Sequence, residues 1–120
     1  MLASLYVGIG GFIGSVMRYL IGLIPLKTGN GFPILTLCIN VLGAFLIGII
    51  SALALKKSIN PHIVLLLKTG ICGGFTTFST FALESVTLHK SGNTALSILY
   101  ILLSIVLGVF AVICGDYCVK

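Results

Sequence analysis

Apolar residues fall in four long stretches, near 3 to 24, 33 to 55, 62 to 88 and 94 to 118, with short polar joints between them. Each stretch reaches the roughly 20 residues that carry a helix across a hydrocarbon core. The pattern predicts an all-α membrane protein, a single transmembrane domain over 1–120 with four spanning helices. The third stretch breaks the pattern. Gly73-Gly74-Phe75-Thr76-Thr77-Phe78-Ser79-Thr80-Phe81 packs two glycines, four hydroxyl residues and three phenylalanines into nine positions. A bilayer offers backbone groups no water, so a helix loosened by Gly-Gly and by competing hydroxyls must find partners in protein, in a wet path or in an ion. The third helix is therefore expected to be broken near its middle, and irregular backbone at membrane depth points to an ion or substrate site.

Polar and small positions in the other stretches are also ordered. Gly10, Gly14, Arg18 and Gly22 recur at four-residue steps along one side of the first helix, which allows another backbone to approach near Gly10 and Gly14. Arg18 stands about two turns inside the end, where an arginine needs water or a partner, so a vestibule or structural role is expected. The second helix starts around Pro33 and carries Thr36, Asn40 and Gly43 on one face. The amide of Asn40 either bonds a neighbouring helix or donates its NH2 into a polar path. Glu84 lies beyond the break toward the far end of the third helix, a place for a carboxylate that meets water or a vestibule. In the fourth, Ser97, Tyr100, Ser104, Gly108, Ala111 and Gly115 share a face. That stripe is a packing seam or the wall of a narrow polar track, and the broken third helix favours the track.

Composition agrees with a polytopic chain: of 120 residues 58% are apolar and 8% charged. The first stretch lacks a basic start and a clear small-residue cleavage site, and is read as a retained helix. The formal charge of +5 comes from scattered residues with no cluster for nucleic acid. Lys56, Lys57 and Lys120 lie with the N-terminus on one side and Lys27 and Lys90 on the other, a bias too small to fix one orientation, so insertion both ways is favoured. Cys38, Cys72, Cys114 and Cys118 lack metal-ligand spacing and read as small buried hydrophobes. His62 and His89 are helix-end or loop histidines without evident partners.

No nucleophile, base and orienting acid can be assembled, and no carboxylate pair exists, so an enzyme is not expected. For an anion the inventory makes sense. Phenylalanine rings carry a positive edge, and Phe75, Phe78 and Phe81 recur every three residues with Thr77, Ser79 and Thr80 among them. Conduction needs binding that replaces hydration yet releases, which suits several neutral donors better than a fixed lysine. The break itself suits a small cation, because carbonyls freed at Gly73 and Thr76 can point at one. One chain supplies too few oxygens, and four helices do not enclose a pore, so a two-fold partner is expected.

Gly73 to Glu84, Arg18 within Gly-Ser-Val-Met-Arg-Tyr, Asn40 within Asn-Val-Leu-Gly, and Tyr100 and Ser104 together resemble the Fluc (CrcB) family of fluoride channels. The resemblance covers the whole chain. It implies an antiparallel, dual-topology dimer in the inner, cytoplasmic membrane of a microbe, with two pores and a structural sodium ion at the dimer centre. It implies passive, selective export of fluoride that entered as HF. It places Phe78, Phe81, Asn40, Tyr100, Ser104, Thr77 and Ser79 along the pores, Arg18 and Glu84 in the vestibules, and the carbonyls of Gly73 and Thr76 on sodium. Gly108 departs from the family's frequent hydroxyl there. A small dual-topology multidrug transporter is the main rival, but it needs a carboxylate in the first helix, where this chain has Arg18. Two further rivals are a subunit active only as a heterodimer with a paralogous chain and a non-transporting subunit that serves assembly alone.

Overall fold

The structure, a computed structural model, describes residues 1–120 and is all-helical. Four helical spans are long and apolar enough to cross a membrane: Leu2–Gly22, Ile34–Lys56, Pro61–Lys90 and Thr94–Val119. The first, second and fourth are the single helices α1 (Leu2–Gly22), α2 (Ile34–Lys56) and α6 (Thr94–Val119). The third is composite: α3 (Pro61–Val64), a π-helical stretch Leu65–Cys72, α4 (Gly73–Phe75) and, after two extended residues, α5 (Phe78–Lys90). Asn60 caps its start by accepting from the His62 N–H, with Pro61 in the first turn.

The third span is broken, but the glycines are not what breaks it. Gly73 is helical, and Thr76 and Thr77 take β-region backbone, with ψ of 156° and 117°. Gly74 serves packing instead: a Cβ there would lie 3.0 Å from the Gly11 Cα of α1. The same close approach recurs one turn earlier, where a Cβ on Gly10 would lie 2.8 Å from the Gly70 Cα, and again beyond it, where one on Gly14 would lie 2.8 Å from the Phe75 nitrogen. The stripe along α1 thus docks on the π stretch and α4, and α2 pairs with α6 through a similar seam at Gly48 and Gly115. Beyond the break α5 leaves α1 and packs on α6. The two extended residues let one span serve two neighbours.

Two expectations about single residues need correction. Cys72 is buried, but Cys38 and Cys118 are exposed on the chain's apolar outside, where lipid or a partner chain rather than a core receives them. The histidines do have partners: His62 stacks on Tyr6 with ring centroids 5.0 Å apart, and His89 Nδ1 lies 2.9 Å from the Thr94 hydroxyl.

Candidate functional site

The break is held by side chains on both sides of it. Thr76 donates its hydroxyl to the Cys72 carbonyl at 2.9 Å and its N–H to the same carbonyl at 3.0 Å, closing the last turn of the first half. Thr77 caps the second half, its Oγ1 accepting from the Thr80 N–H at 3.2 Å. Asn40, from α2, faces Thr77 edge to edge. Its Oδ1 accepts from the Thr77 N–H at 2.8 Å, and its Nδ2 donates to the Thr77 carbonyl at 3.1 Å. Asn40 therefore bonds the neighbouring span, and one of its two N–H groups remains for another acceptor. Arg18 reaches the break from α1, its Nε donating to the Gly74 carbonyl at 3.2 Å.

These bonds redistribute backbone groups. A continued helix would send the Thr77 N–H to the Gly73 carbonyl, but Asn40 takes it, and Gly73 loses its usual donor. The Thr76 carbonyl accepts no hydrogen bond within the chain. Two hard, neutral oxygens are thereby freed a few residues apart. No cluster of His, Cys, Asp or Glu capable of holding a metal lies anywhere in the chain, so carbonyls are what it offers a cation.

Beside the break a groove of about 380 Å³ opens to the outside of the chain, lined by Asn40, Thr76, Thr77, Phe78, Phe81 and Ser104 among apolar residues. Phe78 is 79% exposed and projects from the chain, while Phe81 is half-buried behind it, ring centroids 5.7 Å apart. Ser104 Oγ is buried and has no hydrogen-bond partner. Phe75, the first member of the three-residue ring series, instead turns into the core. Ser79 is exposed, with its hydroxyl 3.5 Å from that of Thr77.

Tyr100 is placed differently from the expectation of a pore-lining ring. It is fully buried behind Phe81, centroids 5.2 Å apart, and does not line the groove. Its hydroxyl donates to Glu84 Oε1 at 3.0 Å, and the Thr36 hydroxyl donates to Oε2, also at 3.0 Å. Both oxygens of the one carboxylate in the third span thus rest on neutral donors. Glu84 borders three surface pockets of about 310 to 330 Å³, one shared with Arg18, Thr77 and Thr80 and another with Lys27 and Thr28. Arg18 and Glu84 line one pocket without forming an ion pair. Sequence reasoning put Thr36 on the Asn40 face but gave it no task. Its signal was the four-residue step to Asn40, which on a helix aligns both with the third span.

Residues 5–116 match the family described as CrcB-like protein, Camphor Resistance (CrcB). A protein of Chlorobium phaeobacteroides (strain BS1) named fluoride-specific ion channel FluC is 46% identical over 114 residues, 94% of this chain and 89% of that one. One of the same name from Prosthecochloris aestuarii is 49% identical over 107 residues, 88% of this chain and 84% of its own. Another, from Ruminiclostridium cellulolyticum, is 45% identical over 116 residues, covering 95% and 89%.

Proposed function

We propose, from the premise that the chain belongs to the CrcB-like family, that it is a fluoride-selective channel, passing fluoride passively out of the cell across the cytoplasmic membrane. The observation that carries the reading is the groove at the break. It sets two phenylalanine rings, a free amide N–H and an unpartnered serine hydroxyl around one opening, and contains no charged side chain. Such a wall attracts a small anion through ring edges and neutral donors and releases it again. Phe78 and Phe81 supply the ring edges and Asn40 and Ser104 the principal donors, with Thr77 on the groove wall, its hydroxyl bound to Thr80, and Ser79 beside it. Glu84, Tyr100 and Arg18 shape the approach.

The groove is open on one side, and Phe78 stands outside the chain. A second copy closing that side, inserted with the opposite orientation, encloses two symmetric pores. The same pairing brings the freed carbonyls of Gly73 and Thr76 of both copies toward one point, where they would hold sodium as a structural ion. The ion's contribution is to tie the two breaks together. α1 contains Arg18 and no acidic residue, which disfavours proton-coupled multidrug export.

The test is fluoride efflux from proteoliposomes containing only this purified chain, read with a fluoride electrode beside a chloride control. Rapid fluoride loss with negligible chloride loss is expected. Silence from a folded dimer would send the assignment to a heterodimer with a paralogous chain, and silence there too would overturn it.

A further inference from the structure

We propose that Phe32, in the loop between α1 and α2, is a positioning residue for the pore rings, acting through Tyr100. The inference rests on the channel reading. Its observation is a continuous column of four rings from the groove to the loop. Phe78 meets Phe81 at 5.7 Å, Phe81 meets Tyr100 at 5.2 Å, and Tyr100 meets Phe32 at 5.5 Å in an edge-on contact at 80°.

Tyr100 is pinned at its tip by Glu84, but that bond leaves the ring free to turn about its own long axis. What fixes the turn is the pair of rings on either side, Phe81 and Phe32. Phe32 is itself held by backbone bonds beyond what a connecting loop needs. Its carbonyl accepts from the Thr28 hydroxyl at 2.9 Å and from the Ile34 N–H at 2.9 Å, and its N–H donates to Asn30 Oδ1 at 3.1 Å. Gly31, at φ +79°, makes the turn that aims the ring inward. Phe32 also packs against the small buried cluster of Leu37, Leu88 and Tyr100. Removing this ring frees Tyr100 to tip into the space left, loosening the back of Phe81 and the Glu84 contact together. Conduction depends on ring edges held where they replace the ion's hydration, so loosened rings slow passage.

The experiment compares Phe32→Leu, Phe32→Met and Phe32→Tyr with the parent, reading fluoride efflux normalised to reconstituted dimer, with thermal unfolding alongside. The two ringless variants are expected to lose efflux on the order of tenfold or more per dimer, and Phe32→Tyr to stay within about threefold of the parent. A purely structural loop residue would lower the yield or melting temperature of dimers but leave flux per dimer at the parental level, and that result overturns the assignment. Loss in Phe32→Tyr equal to that in the ringless variants overturns it as well. Should Phe32→Leu fail to assemble, Phe32→Met decides by the same criterion. A parent that passes no fluoride defeats the channel reading itself, and this role falls with it.

Discussion

Asn40 joins fold and function in one side chain. A side-chain amide donates and accepts along one edge without titrating, so it can replace both backbone partners that Thr77 gives up by leaving the helix. Asn40→Leu keeps the volume and strands both groups. The expected outcome is a dimer less stable by about 1 to 3 kcal/mol and without fluoride flux, checked by thermal unfolding in detergent and by efflux. Asn40→Asp keeps only the acceptor and should be intermediate in stability. The rings divide differently. Phe78 touches little in its own chain, so Phe78→Ile should leave the fold untouched, whereas Phe81→Ile removes the ring against Tyr100 and should cost some stability. Both are expected to abolish efflux with assembly retained, and normal flux in the pair would remove the rings from the pathway. That Asn40, Phe78 and Phe81 stand near the break was legible from the one amide deep in the second helix and from rings recurring every three residues among hydroxyls. Tyr100 was misplaced because helical spacing gives a residue's face but not its depth.

At the scale of elements, the sequence pattern located the break to within three residues and offered two causes, Gly-Gly and the competing hydroxyls, of which only the second acts at the break. Glycine pairs weaken a helix in water, but between packed membrane helices a missing Cβ is first of all a place for a neighbour's backbone. Gly74 illustrates this against Gly11, while the departure from helix begins at Thr76, where hydroxyls and the Asn40 amide offer the backbone other partners. The π-helical stretch had no sequence signal at all, since Leu65 to Cys72 carry the same apolar and small pattern as an ordinary helix. A glycine series tests the packing claim. Gly10→Ala and Gly74→Ala force α1 away from the third span and are expected to destabilise by about 1 to 3 kcal/mol. Gly8→Ala, with nothing within 4 Å of the new methyl, should be neutral or slightly stabilising. Equal melting temperatures across all three would mean that the two spans are not in backbone contact.

For the molecule as a whole, the open groove sets the problem that an assembly must solve. Polar groups facing hydrocarbon are costly, and the chain leaves one Asn40 N–H and the Thr76 carbonyl unpaired near an outward Phe78. A partner copy that brings the same groups relieves them all at once, and a cation at the joined breaks adds to it. The dimer should therefore melt at a higher temperature in sodium than in N-methylglucamine buffer, reflecting a stabilisation of roughly 2.7 kcal/mol at a hundred times the dissociation constant. Unchanged melting would leave the carbonyls without an ion. Orientation follows from charge, because the cations on either end of the bundle nearly balance and the positive-inside bias cannot choose. In a background with the four native cysteines replaced by serine, Lys57→Cys and Lys90→Cys mark opposite ends. If insertion is two-way, a membrane-impermeant maleimide should label each site in roughly half of the chains in sealed inner-membrane vesicles, and in all of them after permeabilisation. Full labelling of one site with none of the other would establish a single orientation, and the two breaks could then meet only in a parallel pair.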